Sequence, residues 1–435
     1  MANASSTLVI TNVRLAHSDP AHTADLCTVV CSGGRVSSIR RLHSDGVPAT
    51  FDIDAQGGLL LPSLCHSHIH LDKCFILDRC MLQTGYLPSP NNNFAEALQV
   101  TDAAKGSFNE EDLYNRGCKL VRESLECGVT SMRAHVEIDT TVHFMCLDVG
   151  VRLRKDFSHA CDVQLAGNVE LHFAQDPLFD GPNCQEPGSN FDLLAQAVET
   201  RDVRVVGSAP YVEPTVQQAK ANIALILKLA QKHGCQVDFH LDYNLDPSSE
   251  PLIYEVISEA KKLSWSRESR ITIGHATRLQ LFTPTHDIYM LGRQDTDAPL
   301  GPPRSTLRIP YIANKYNIEM AMSINNVQNA FTPQGSLDPL SLCAFGVALF
   351  QSATPSDLGT LIRSVTLASK RAIGQENVPR DLCISPDDPA DLVILHDTPN
   401  LQFAALNPGY DRTTIRAGRI VARRLSSKWH ASPAM

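Results

Sequence analysis

No apolar stretch in the 435 residues reaches the ~18 needed to cross a bilayer as a helix. The opening residues carry no basic run followed by a long apolar core, so neither a membrane span nor a signal peptide is expected. Clustered positive charge is also missing. No Lys/Arg run is longer than a pair such as Arg423–Arg424, and the formal net charge is −9, which argues against nucleic acid or an anionic membrane as partner. There is no Cys-x-x-Cys, no Gly-x-Gly-x-x-Gly, no phosphate-cradling Gly-x-x-x-x-Gly-Lys-Ser/Thr and no Gly-x-Ser-x-Gly elbow. These absences exclude the common cysteine zinc sites, nucleotide loops and serine-hydrolase nucleophiles. The 13 cysteines are odd in number and scattered, which points to buried thiols in a reducing compartment, with the cytoplasm as the default.

What is present is a globular composition, 43% hydrophobic and 20% charged, long enough for one large domain with a small appendage. The two ends resemble each other in style. Thr7–Leu15, Leu26–Val30 and the turn Gly33-Gly34 into Val36 read as short strands. So do Ala390–Leu395 and Thr413–Val421 near the other end. Neither piece alone buries enough apolar surface to stand, so residues 1–58 and 379–435 are expected to pack as one small β-sandwich.

Between them, over residues 59–378, apolar runs alternate with helical periodicity, the pattern of βαβ units. Candidate strands are Leu59–Cys65, Val129–Val136, Asp162–Leu165 with Leu171–Ala174, Arg204–Ala209, Cys235–His240, Ile271–Ile273, a segment near 307–313, and Ile318–Ile324. Helices fit Glu110–Glu126, Asn190–Thr200, Val216–His233, Pro251–Leu263 and Pro355–Ile373. The fold class is α/β, a TIM-like (β/α)8 barrel, with a doubly wound open sheet as the competing arrangement. Strand seven is the irregular place, because Pro284–Arg304 is turn-rich and too polar for buried elements.

The chemistry concentrates at strand ends. In Pro62-Ser-Leu-Cys-His-Ser-His-Ile-His-Leu-Asp-Lys73, His68 and His70 stand two apart and face one side of a strand. His240 and His275 each end another apolar strand. Four histidines at three strand ends meet at the mouth of a barrel, where they suit one divalent ion such as zinc or iron. His66 shares that face one layer deeper and reads as structural, and His135 is a lesser candidate.

These stretches resemble the cytosine deaminase-like branch of the amidohydrolase superfamily. The matching residues are Leu61–Lys73, Gly128–Val136, His172–Pro177, His240, Gly274-His275 and Ser323–Gly335 with Asp338-Pro339. The resemblance implies a mononuclear metal centre that activates water against an amide or amidine carbon. It implies His68, His70 and His240 as metal ligands and His275 beside the reacting centre. Gln175 would hydrogen-bond a polar heterocycle, with Lys73 and Arg133 shaping the pocket.

Two departures from that pattern bear on catalysis. The resemblance implies a metal-binding aspartate where this chain has Asn325, and a proton-shuttling glutamate where it has Tyr243. An amide cannot act as a base near neutral pH, and a phenol donates a proton more readily than it accepts one. A further aspartate of the pattern is replaced by His66. Three readings follow. The first is a metal-dependent hydrolase acting on a C–N bond of a small cyclic polar substrate, using Tyr243, His275 and Asn325. The second is a non-hydrolytic isomerase, lyase or cyclase, and the third a non-catalytic ligand-binding protein. A homo-oligomer is compatible with the sequence, which does not specify one.

Overall fold

The computed structural model describes residues 7–17, 25–42, 50–84, 94–169, 177–179, 186–201, 203–266, 268–281, 306–351, 353–427 and 429. Both termini meet in one eight-stranded sheet. Its strands are β1 (Leu8–Leu15), β2 (Leu26–Ser32), β3 (Arg35–Arg41), β4 (Ile53–Asp54) and β5 (Leu59–Pro62) from the start of the chain. Three more, β12 (Leu392–Leu395), β13 (Arg412–Arg416) and β14 (Arg419–Arg424), return from its end. The junction is β5, parallel to β1 and antiparallel to β12. Ile10, Val29, Leu60, Leu392 and Ile415 are fully buried in a core of their own. Neither terminal piece closes that core alone, as expected for the terminal β-sandwich.

The larger unit is a parallel six-stranded sheet in sequential order: β6 (Leu64–His70), β7 (Val129–Glu137), β8 (Asp162–Val169), β9 (Val205–Ser208), β10 (Gln236–Leu241) and β11 (Ile271–His275). It curls into a nearly closed barrel, so the expected irregular (β/α) barrel is the fold. Local signals set the covering helices. Asn109 caps Glu110–Glu126 by accepting from Asp112 N, and three acidic residues occupy that first turn. Val216–His233 begins with Thr215 accepting from Gln218 N and ends at Gly234, whose φ of 67° is left-handed.

The barrel wall departs from regularity where strands seven and eight are expected. The segment near 307–313 is not a strand but the start of a helix, Ile309–Tyr316, with Pro310 in its first turn. Proline has no N–H for a ladder and is preorganised for a helix start. Ile318–Ile324 forms no ladder either. Ser323 Oγ instead takes the N–H of His68 at 3.2 Å and donates to its carbonyl at 2.7 Å, a side chain standing where backbone partners would be. Further along, His70 N donates to Asn325 O at 2.9 Å and Phe75 N to Val327 O at 3.0 Å. Ser323 and Asn325 therefore bond along β6, and Val327 along the chain that follows it, without forming a strand of the barrel. The turn-rich stretch Pro284–Arg304 lies outside the described residues.

Polar contacts fasten the barrel to the terminal sheet. Arg412, 1% exposed, donates to Cys127 O at 2.6 Å and holds Asp338 through both terminal guanidinium nitrogens, at 2.7 and 2.5 Å. Asp338 also caps the next helix by accepting from Leu340 N at 3.0 Å. Of the described cysteines, eleven are buried, Cys383 is half-buried and all are free thiols.

At the opposite end of the barrel from the histidines, Lys370 is buried and donates to Ser63 Oγ at 2.8 Å. Burial lowers its pKa from the ordinary lysine value. The unfolded chain therefore binds the proton more tightly. The resulting destabilisation is full below the folded pKa and is relieved as pH rises toward the unfolded value of about 10.5. Lys370→Met is expected to stabilise the protein by about 1 kcal/mol or more at pH 7. The gain should shrink as pH rises toward about 10.5, as read from urea unfolding at neutral and at alkaline pH.

Candidate metal centre and active site

Strands β6, β10 and β11 carry their histidines to one end of the barrel. His68 and His70 share the inner face of β6, His240 is the penultimate residue of β10, and His275 closes β11. The β10–β11 register sets His240 opposite Gly274 and Leu241 opposite His275. His240 Nε2 lies 2.8 Å from His68 Nε2 and 3.3 Å from His70 Nε2. A ring nitrogen carries one proton or one lone pair, so His240 Nε2 can make one good hydrogen bond here, not two. Three lone pairs turned onto a shared cation remove that conflict. Ligand atoms of His68, His240 and His275 also lie within 4.8 Å of one another. The cluster is thus able to hold one divalent cation.

Gly274 makes room for this convergence. A Cβ there would stand 3.1 Å from His68 Cε1 and 3.2 Å from Phe239 O, a carbonyl fixed in the sheet. Gly274→Ala is therefore expected to push the His68 ring aside and to weaken zinc or cobalt binding about tenfold or more. The fold should survive, with titration calorimetry and circular dichroism reading the two effects. Beyond Gly274 the chain turns sharply, with His275 at φ 67° and Ala276 at φ 53°. Left-handed backbone costs non-glycine residues about 1–2 kcal/mol each, and Ala276 N offsets part of this by donating to Leu241 O at 3.1 Å.

Tyr243 stands on the rim, 39% exposed, its ring edge-on to His275 with centroids 5.5 Å apart. Partial burial raises its phenol above the usual value, so it stays protonated at neutral pH. Thr277 Oγ1 donates to Tyr243 O, and buried Arg278 gathers Asp246 O and Ser249 O of the same loop. Asn325 lines the site, and its Oδ1 is buried with no hydrogen-bond partner among the described residues. A largely apolar cavity of about 770 Å³ opens here, lined among others by His68, His275, Asn325, Leu307, Met322 and Phe345.

The nearby carboxylates are committed elsewhere. Asp72 Oδ2 accepts from Glu137 N at 2.6 Å. Asp242 accepts from Leu252 N at 2.9 Å and Ile253 N at 3.0 Å, the start of the helix Ile253–Lys262. Lys73 is buried and ion-paired to Glu137 at 2.8 Å, and Glu137 also holds Lys105 at 2.8 Å. Burial opposes charge on Lys105, but Glu137 and Asp139 outweigh it and raise its pKa.

Arg133 is set in the barrel interior rather than in the cavity wall. It donates to Gln164, Gln236 and Asp238, each at 2.7 Å, and to Thr272 Oγ1 at 3.0 Å. Gln175 lies outside the described residues. His66 is wholly buried against Ser124, and burial pushes its pKa down to about 3, so it is a neutral core residue. The reading of the sequence passed over Asp238 and gave no role of their own to Gly274 and Ser323, which it placed only within matching stretches. Asp238 and His240 stand two apart on one strand and share a face, a signal that was present. The closing role of Ser323 has no such signature.

No family model matches the chain. It is 22% identical over 420 residues to a pterin deaminase of Rhizobium rhizogenes (strain K84 / ATCC BAA-868), covering 91% of this chain and 88% of that one. It is 19% identical over 389 residues to an N-isopropylammelide isopropyl amidohydrolase of Pseudomonas sp. (strain ADP), covering 86% and 88%. Among solved structures, 5-methylcytosine deaminase from Klebsiella pneumoniae liganded with 5-fluorocytosine superposes with a TM-score of 0.80 at 20% identity, covering 98% of this chain and 99% of that one. N-isopropylammelide isopropylaminohydrolase from Burkholderia multivorans ATCC 17616 gives 0.73 at 20%, covering 96% and 99%. Over nearly its whole length, this chain therefore has the fold of these deaminases and amidohydrolases.

Proposed function

We propose that the chain is a metal-dependent hydrolase of the amidohydrolase superfamily, on its cytosine deaminase-like branch, acting on a C–N bond of a small cyclic polar substrate. The observation that carries this reading is the meeting of His68 and His70 on the single nitrogen His240 Nε2, at 2.8 and 3.3 Å. In the proposal His68, His70 and His240 hold one zinc or iron ion, which when bound polarises the substrate and lowers the pKa of water. His275 stands beside the reacting carbon and stabilises the oxygen on which charge develops. Tyr243, protonated at neutral pH, donates to the departing nitrogen. Asn325, a residue of the cavity lining, accepts a hydrogen bond from a substrate N–H through its amide oxygen. Gln175 and Lys73 contribute to binding the heterocycle. The relatives, named as deaminases and amidohydrolases of pterin, 5-methylcytosine and N-isopropylammelide, support a nitrogen-rich ring as the substrate class.

A second reading, a non-hydrolytic isomerase or lyase on the same centre, is favoured by Asn325, because no proton has to be taken from water. Turnover in ¹⁸O-labelled water across a panel of pterins, pyrimidines and triazines separates the two. Ammonia or amine release with label in the product is the expected result. Conversion without label would favour the second reading, and absence of both tightly held metal and turnover would defeat both.

A further inference from the structure

Beneath the histidines, the barrel interior holds a full charge pair. Arg133 and Asp238 are both 0% exposed, with Arg133 Nη1 2.7 Å from Asp238 Oδ2. Two glutamines and a threonine fix the guanidinium from the sides, Gln164 and Gln236 at 2.7 Å and Thr272 at 3.0 Å. A buried ion pair is a poor source of stability, since well-packed apolar residues do as well or better. Stability alone therefore does not account for it.

The other carboxylate oxygen faces the centre. Asp238 Oδ1 lies 3.5 Å from His68 Nδ1, on the ring edge opposite the Nε2 that meets His240. The ring is confined on its faces as well. His135 stacks on it at 3.8 Å between centroids, and Gly274 supplies a close wall where a Cβ would press on the ring at 3.1 Å. Ser323 clamps the His68 backbone at both its N–H and its carbonyl. What these contacts leave undecided is which ring nitrogen carries the proton.

Building on the metal-binding reading above, we infer that Asp238, held in place by Arg133, is a positioning residue that keeps the His68 proton on Nδ1 and so presents the Nε2 lone pair to the cation. A neutral imidazole has one N–H and one lone pair, and a carboxylate beside Nδ1 stabilises the tautomer that puts the N–H there. Outer partners of this kind orient ligating histidines and raise their basicity. The same geometry decides against a second cation among His68, His135 and Asp238, whose ligand atoms also lie within 4.8 Å of one another. Asp238 already carries the Arg133 guanidinium, and a cation placed there would face that charge directly.

The test uses the full chain loaded with cobalt(II), whose visible absorption reports the ligand field. Chelator competition gives its affinity. Asp238→Asn combined with Arg133→Gln removes both buried charges together, so neither is left uncompensated. This variant should fold by circular dichroism, bind cobalt roughly 10–100-fold more weakly and show an altered spectrum. Unchanged affinity and spectrum would overturn the inference, as would two cobalt ions per wild-type chain. If the variant does not fold, wild-type protein carrying ¹⁵N-histidine and zinc decides by NMR. His68 with its proton on Nδ1 is the expected result, and a proton on Nε2 overturns it. Wild-type protein that takes up no cobalt would instead bring down the metal-binding reading itself, and this inference with it.

Discussion

Replacing His240 with alanine is expected to remove bound metal outright. His240 Nε2 is the nitrogen that both β6 histidines approach, at 2.8 and 3.3 Å, so its loss removes one donor and separates the remaining two. Loss of an outer partner costs a metal site roughly 10–100-fold in affinity, and loss of the shared inner donor should exceed that range. His68→Ala and His70→Ala each remove one of the approaching rings and should also lower occupancy, though by less. The ring is buried, 3% exposed, and alanine leaves an open space at the mouth, not in the aliphatic core. The variant should therefore remain folded. Metal analysis after dialysis, with a thermal melt in parallel, checks both statements. Full occupancy in His240→Ala would remove the basis of the proposed centre.

The second large effect concerns proton transfer. Wild-type protein should turn over cyclic amides and amidines slowly, because Asn325 cannot take a proton and Tyr243 stays protonated. Asp242 is held by backbone N–H groups at both oxygens and Asp72 at Oδ2, which gives both carboxylates structural roles. Asn325→Asp should tighten the cation by adding a charged oxygen beside it. Tyr243→Glu should supply a group that titrates closer to neutrality. General acid and base groups are each worth about 10²–10⁴-fold, and removing a proton from water and delivering one to the leaving nitrogen are separate tasks. The double variant should therefore exceed either single one by a factor in that range. Assaying all four proteins for ammonia release, with metal content measured on each, tests this. Fast hydrolysis by the wild type would show that another group supplies the base.

The legible and illegible parts of this molecule divide along physical lines. Period-two placement and strand-end position were enough to gather His68, His70, His240 and His275, because a parallel barrel delivers strand ends to one mouth. The joined terminal sheet followed from the shortage of apolar surface in each piece. The closing wall was not legible. Ile318–Ile324 has the composition of a strand, but its bonding to β6 runs through the Ser323 hydroxyl, which periodicity does not register. Near 307–313, apolar residues suggested a strand, while Pro310 had already settled on a helix start. Arg133 was assigned to the pocket because the resemblance placed it near the site. Its inward position on β7, opposite Gln164, sends it into the barrel instead.

The uneven wall has a consequence for how the barrel breathes. β7 is flanked on both sides by paired strands, and all nine of its residues are buried. β11 is paired only to β10 among the described residues, and each of its five residues is half-buried. Opening β11 breaks one ladder where opening β7 breaks two, so its amides should exchange with deuterium in smaller, more frequent fluctuations. His275 sits at the end of that looser strand, whereas β10 lies between two ladders and β6, though also paired to a single strand, is tied further by Ser323 and by the carbonyl of Asn325. Three donors are then set on a slow-exchanging frame and the fourth on a faster one. A ligand bridging His275 to the others would be expected to slow exchange across β11 far more than across β7.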